Sequence, residues 1–356
     1  MPEPRLTNQA PTERCGDRFC TLPDAVVQHI LGFLPALDAV RTCVLGRRWR
    51  QLWRSAPRLR IATADVPALR FVGSLNRFIR QVLLLRDPGA PLDECEFDLR
   101  GYSRLYGSCP DLWIRHCTMH RVQVLQVRLY AEERVKLAGW PLISQCLVRF
   151  ELHGLDLEES FLDFSSCPVL EDLKITNCLL DADKILSRSL KHLEITGCEL
   201  CWQFVPTQIS APSLISLQLD DYVGVTPILE SMPLLEKASI KLGQNNEEYC
   251  DFCDNRGSGE CTCDMCHIYD NTNVSRNSVC FLLGGLSRAT HLQLKASSEM
   301  VTFKRDMRCC PTFINLKTLL LDDWCLAADL CALLGFLKHT PNLENLILQL
   351  CKVHIL

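Results

Sequence analysis

No stretch of this sequence stays apolar for the roughly 18 residues that a membrane-spanning helix needs. The opening residues, MPEPRLTNQAPTERCGDR, are equally short of the hydrophobic core that marks an export signal. Both shortages point to a cytosolic or nuclear protein. Charge of one sign is scarce too: 38 lysines and arginines stand against 42 aspartates and glutamates, a formal net charge of -4. The overall balance therefore gives no reason to recruit nucleic acid or an anionic membrane surface. With 47% hydrophobic and 22% charged residues, wholesale disorder is excluded as well. A length of 356 residues allows two or three ordinary domains, or one small domain and a repeat array.

Cysteine, by contrast, is abundant, with 22 copies. Most stand singly inside apolar patterns, and in a reducing compartment such residues behave as small hydrophobes. The Asn273-Val274-Ser275 sequon has glycosylation spacing, but a chain without an export route is not expected to be modified there.

Residues 1–16 are polar, proline-bearing and without periodicity, as in a loose tail. From 17 to 61 the texture changes. Val27, Ile30, Leu31 and Leu34 keep the i, i+3, i+4, i+7 spacing of a helix face, and Pro35 ends that helix. Asp38 is placed to cap a second helix carrying Val40, Cys43 and Val44. A third follows Gly46, with Trp49, Leu52, Trp53 and Ala56 along one side. Three short helices bury too little surface to be stable alone, so a partner is expected to cover part of them.

This segment resembles an F-box. The resemblance rests on Leu22-Pro23-Asp24, Ile30-Leu31, Leu34-Pro35, Ala39-Val40-Arg41 and Arg47-Arg48-Trp49-Arg50 with Leu52-Trp53. It implies docking on a Skp-type adaptor through Leu22, Pro23, Ile30, Leu31, Leu34, Pro35 and Val40, with the Trp-rich third helix stabilising the module. The seven arginines between Arg41 and Arg60 could suit phosphates, but a run on small amphipathic helices is usually a solvated face, and an acidic adaptor surface explains it equally.

An internal repeat follows. The pattern L-x-x-L-x-L is met by Val124-x-x-Val127-x-Leu129, Leu147-x-x-Phe150-x-Leu152, Leu170-x-x-Leu173-x-Ile175, Leu190-x-x-Leu193-x-Ile195 and Leu214-x-x-Leu217-x-Leu219. The steps are 23, 23, 20 and 24 residues, and further copies start at Leu235, Ala289, Leu316 and Leu343. This is the period of leucine-rich repeats. Each copy supplies a short strand whose alternate residues enter a shared core, while the intervening residues face outward on a concave parallel sheet. The predicted fold is α/β: a three-helix F-box, a helical linker with irregular first repeats over 62–120, and a solenoid over 121–356. Lys174, His192, Glu194, Gln218, Lys241 and Gln293 point outward and are the candidate contacts for a protein ligand, and Asp220 is expected to be exposed on the same side. They contain no convergent acid, base or nucleophile, so an enzyme is not expected and no cofactor is required. His116 and His120 stand at i, i+4 beside Cys117, a spacing that can hold zinc, but without an evident third ligand they are expected to be ordinary core or surface histidines.

The order of F-box and repeats resembles the plant families of F-box and leucine-rich-repeat proteins, especially those of grasses. Many of these continue into a domain called FBD, which begins around a stretch like Pro341-Asn342-Leu343-Glu344, and which is expected to be truncated here. The resemblance implies the substrate-recognition subunit of a Skp–cullin–F-box ubiquitin ligase, with the adaptor, through it the cullin, and an unknown protein client as partners. The alternative is an F-box scaffold acting outside ubiquitination or without a client.

The widest gap between repeats holds a loop insertion over 243–279, with the Cys-rich run YCDFCDNRGSGECTCDMCH. Cys250-x-x-Cys253 and Cys263-x-x-Cys266 have the two-knuckle spacing of a tetrahedral zinc site, with Cys261 and His267 as spare ligands. A two-zinc RING would need more ligands than the run supplies. The expected role is structural, contributing on the order of 10 kcal/mol to pinning the loop. Elemental analysis of protein purified without added metal is expected to find about one zinc per chain, lost on Cys263→Ser; a metal-free folded protein would end this reading.

Overall fold

The computed structural model describes residues 21–65, 72–102, 110–137, 139–200, 206–242, 280–295, 306–307, 309–322 and 331–349. Chain order gives α1 (Asp24–Leu31), α2 (Ala36–Arg41), α3 (Trp49–Leu52), α4 (Val72–Leu85), α5 (Pro110–Met119) and, near the end, α6 (Cys331–Leu337). The first three form the N-terminal unit, with 3-10 turns over Thr42–Leu45 and Trp53–Ser55 completing the second and third. Val27, Leu31, Ala36, Ala39, Leu52 and Trp53 fill its interior. Each large apolar side chain buried this way stabilises the unit by roughly 1.5–3 kcal/mol. Asp38 does not cap α2. The helix begins one turn earlier, behind Pro35, whose fixed φ suits a helix start, and Asp38 sits in the first turn paired with Arg41 at 3.0 Å.

Among the described residues eleven strands form one parallel sheet, in the order β1 (Arg58–Ala62), β2 (Glu94–Arg100), β3 (Val124–Tyr130), β5 (Arg149–His153), β7 (Asp172–Thr176), β10 (His192–Thr196), β13 (Ser216–Gly224), β15 (Lys237–Leu242), β16 (His291–Lys295), β17 (Thr318–Asp322) and β18 (Asn345–Gln349). Alternate residues of β1 to β17 enter the core, as in Cys95, Phe97 and Leu99 of β2. The return segments change along the array. The helices α4 and α5 cover the buried face of the first strands, with Trp113 stacked on Phe97 at 5.3 Å. In the middle, extended chain replaces helix: β4 (Val135–Lys136), β6 (Leu155–Glu158), β8 (Leu179–Asp181) and β11 (Glu199–Leu200) line up with the end of β13, and β9 (Lys184–Leu186), β12 (Gln208–Ser210) and β14 (Ile228–Leu229) make a third side. Short repeats of 20 to 24 residues leave no room for a return helix, and a strand rises further per residue.

Two boundaries differ from the sequence reading. The sheet starts at Arg58, inside the stretch read as F-box, because Leu59 and Ile61 align with Cys95 and Phe97 of β2. F-box and solenoid are therefore continuous. The buried Arg86 at the end of α4 reinforces the join by donating from Nη2 to the carbonyl of Ala56 at 2.8 Å, and burial holds its guanidinium below the usual arginine range. Secondly, the first repeat is out of register. Leu125 and Val127 stand opposite Phe150 and Leu152, so the copy is Val122-x-x-Leu125-x-Val127, while Val124 faces outward. A shift of two residues keeps Val127 and Leu129 on the buried face, which is why the apolar pattern alone accepts the wrong frame.

One turn of the solenoid is held by a residue that the repeat does not announce. Asp306 is buried, and its carboxylate accepts the backbone N–H groups of Phe281, Leu282 and Leu283 at 2.7–3.0 Å, anchoring the chain just before β16. No helix among the described residues is long and apolar enough to cross a membrane.

Candidate functional site

Two surfaces stand out. On the N-terminal unit, α1 and the turn after it present Val26, Ile30 and Phe33 to solvent, and Val44 and Leu45 add to the exposed apolar area. Phe33 is held by its neighbours: His29 meets it edge-on at 5.0 Å and the Arg58 guanidinium lies 5.2 Å from its ring centre. The Leu-Pro start is held in place by Arg48 of the third helical segment, which donates to the Leu22 carbonyl and, from Nε, to Asp24 at 2.8 Å. Of the adaptor candidates, Pro23 and Ile30 are exposed and Leu22, Leu34, Pro35 and Val40 half-buried. Leu31 is only 2% exposed and packs inside the unit, so it shapes this surface from beneath. Val26, Phe33 and Leu45 carry no sequence signal of their own, and Val44, read with Val40 and Cys43 as the apolar side of the second helix, is instead exposed; no spacing rule separates an exposed apolar residue from a core one on so short a helix.

The second surface is the concave sheet. In-register parallel strands set equivalent positions side by side about 4.8 Å apart, so charges meet across strands. Arg128 bridges Glu96 at 3.0 Å and Glu151 at 2.9 Å, and the Glu151 contact holds its guanidinium above its ordinary range. Arg149 pairs with Asp172 at 3.0 Å and Lys295 with Asp322 at 3.3 Å. Among the predicted ligand contacts, Lys174 and Glu194 pair with each other at 2.7 Å. Lys241 pairs with Asp220 at 2.9 Å, and Gln218 donates to the same carboxylate at 2.7 Å. The strand pattern alone predicts that Asp220 is exposed beside them. It is 5% exposed, because Gln218 and Lys241 close over it, and so it orients those two side chains and is not itself presented. Exposed pairs contribute at most about 1 kcal/mol each, so the ladder sets the pattern of the face more than its stability.

Past the charge ladder the face becomes neutral to cationic. Gln218 and Gln293 line a shallow depression of about 280 Å³ with Ser239, Lys237, His291 and the apolar Leu320. His192, in the row of Asp172 and Ser216, lies outside it. The structure thus brings Gln218 and Gln293 to one place and leaves Lys174 and Glu194 as a separate pair. Arg128, Glu96 and Glu151 had a signal that could have found them, since charges alternate with core residues in their strands.

The described thiols are free, and Cys95, Cys117, Cys167, Cys178 and Cys198 are buried. Burial pushes Cys167 up to about 11 and raises Cys95 and Cys178 as well, away from the thiolate a nucleophile needs. The His116 and His120 rings stack at 4.7 Å, and burial lowers both. Among the described residues no group of three or more His, Cys, Asp or Glu is arranged to hold a metal ion. Cys250, Cys253, Cys263 and Cys266 lie outside the described residues.

The F-box domain model matches residues 19–61. An F-box/FBD/LRR-repeat protein of Arabidopsis thaliana is 26% identical over 97% of this chain and 79% of its own length. The MEIOTIC F-BOX protein MOF of Oryza sativa subsp. japonica is 29% identical over 94% of this chain and 72% of its own. An F-box/LRR-repeat protein of Arabidopsis thaliana is 26% identical over 94% of this chain and 92% of its own. No solved structure matches. With an F-box leading straight into a parallel solenoid, the chain is similar along nearly its whole length to plant F-box/LRR-repeat proteins.

Proposed function

We propose that this protein is the substrate-recognition subunit of a Skp–cullin–F-box ubiquitin ligase, working in the cytosol or nucleus. The observation that carries this reading is the pairing of two unlike surfaces on one continuous body: an exposed apolar ridge on the F-box and a polar, in-register concave sheet behind it. The first suits constitutive docking on a Skp-type adaptor, because such cores of interfaces are apolar. The second suits a client that is chosen by charge and hydrogen bonds. Held this way, the client is kept near a ubiquitin-charged conjugating enzyme, which raises the effective concentration of its lysines. Bond making belongs to the other subunits. This chain binds and orients, and needs no catalytic group or cofactor of its own.

Purification of the tagged chain from plant cells tests the reading. A Skp-type adaptor and a cullin are expected to accompany it at matching stoichiometry; adaptor without cullin would favour a scaffold outside ubiquitination. The concave face can be tested in the same material. Lys174→Glu sets two carboxylates side by side, whereas Lys174→Glu with Glu194→Lys restores the pair with its polarity reversed. The double variant is expected to match the native stability to within about 1 kcal/mol and to retain the adaptor, yet to lose proteins that accumulate on the native chain when the proteasome is inhibited. Equal loss of adaptor and clients would indicate unfolding.

A further inference from the structure

We infer that the cleft between α4 and α5 is a second protein-docking surface, shaped for an acidic amphipathic helix of a partner. Both helices carry more apolar surface than the core takes up. Leu75, Ile79, Val82 and Leu83 of α4 are buried against the sheet, and Trp113, Ile114 and Cys117 of α5 complete that layer. Beside these stripes Leu84 is 63% exposed, Leu112 59% and Met119 77%. They face a cleft of about 510 Å³ floored by Leu83 and Trp113. Contiguous exposed apolar area of this kind marks interaction sites on soluble proteins, and a trough between two helices fits the apolar stripe of a third.

The charge of the occupant follows from the rim. Arg77, Arg80 and Arg115 border the cleft, and no carboxylate lines it. Among the described residues none of the three guanidiniums has an ion-pair partner; Arg115 instead lies 5.7 Å from the centre of the Trp140 ring, which is itself exposed beside the cleft. Guanidinium groups are fixed, planar donors that take carboxylates two bonds at a time. Phosphate would also satisfy them, but a nucleic-acid backbone has no use for the leucine and methionine walls. Arginine, tryptophan and methionine around an apolar floor are the residues enriched in protein interfaces. The cleft lies on the covered side of the sheet, opposite the concave face, and shares no lining residue with the F-box ridge, so the inference does not depend on the ubiquitin-ligase reading.

Selection from a display library of helical peptides of about 15 residues, with the full chain as bait, tests the proposal. Peptides with apolar residues at i, i+3 or i+4 and i+7 and with net negative charge are expected to be enriched. Their affinity should fall about tenfold or more on Leu84→Asp with Leu112→Asp, and on Arg77→Glu with Arg80→Glu. The second double variant should also shift the preference toward lysine-bearing peptides, which a folding defect would not do. Enrichment that is indifferent to these substitutions, or winners that are basic from the start, would overturn the proposal. So would a homodimer in sedimentation that Leu112→Asp dissociates, since the occupant would then be a second copy of this chain.

Discussion

Replacing Ile30 and Phe33 together by glutamate is expected to abolish capture of a Skp-type adaptor while leaving the unfolding midpoint of the chain unchanged. Ile30 is 41% exposed and Phe33 58%, so neither substitution opens the interior. Apolar anchors near the middle of a small interface typically contribute more than ~1 kcal/mol each, and a buried unpaired carboxylate adds its desolvation. Together they should weaken binding by at least about a hundredfold, roughly 3 kcal/mol. Leu31→Ala supplies the contrast. That side chain is enclosed by the N-terminal unit, so its truncation should cost about 2–5 kcal/mol of stability and act on the adaptor only through unfolding. Co-purification with the adaptor, read beside thermal unfolding of each variant, separates the two cases. Undiminished capture by the glutamate variant would sink the assignment of this ridge.

Ile30 and Leu31 also show how far the residues alone could be read. Consecutive residues on a helix lie about 100° apart, so one of two adjacent apolar side chains turns inward and the other outward. Which is which depends on the packing of α1 against the third helical segment, and no spacing encodes that contact. The family motif names both as adaptor positions because a motif records identity and not exposure. The missed Phe33 follows from the same gap: the apolar spacing runs on to Leu34, but α1 ends at Leu31 and Phe33 lies in the turn behind it.

The solenoid was more legible. A repeat states its own geometry, since each strand copy must bury the same alternate positions against its neighbours. The failures are local and have physical causes. The first repeat could be framed two residues late because the face of a strand has period 2. The start of the sheet at β1 was hidden because an F-box pattern and a strand pattern overlap between Arg58 and Ile61. On the concave face, the pairing of the outward positions is not legible in the sequence, because strands some 20 residues apart meet only once register is known. Lys174 beside Glu194, and Asp220 beneath Lys241, are products of that register.

Gly154→Ala is expected to damage the solenoid more than the same change at Gly197, although both glycines occupy one corner of the repeat. The corner after the concave strand turns sharply, and at each of four successive turns one residue takes a left-handed backbone: Gly154 at φ 73°, Asn177 at 51°, Gly197 at 61° and Asp221 at 51°. Asparagine and aspartate tolerate this region better than other residues with a Cβ, so the chain uses them interchangeably with glycine. A Cβ on Gly197 would meet nothing within 4 Å. Alanine there should cost only the left-handed strain, about 1–2 kcal/mol, and asparagine less, as Asn177 shows one turn earlier. A Cβ on Gly154 would lie 1.9 Å from the carbonyl oxygen of Leu129, which belongs to the adjacent strand β3. That oxygen cannot give way without pulling β3 from its place between β2 and β5. Overpacking adds about 1–3 kcal/mol to the strain, so the total approaches 2–5 kcal/mol. Denaturant unfolding of the two alanine variants and of Gly197→Asn decides the matter. The expected order of stability is native and Gly197→Asn, then Gly197→Ala, then Gly154→Ala, with the last recovered mainly as insoluble protein. Equal midpoints for the two alanine variants would show that the β3 carbonyl moves freely, and the corner would then be governed by backbone strain alone.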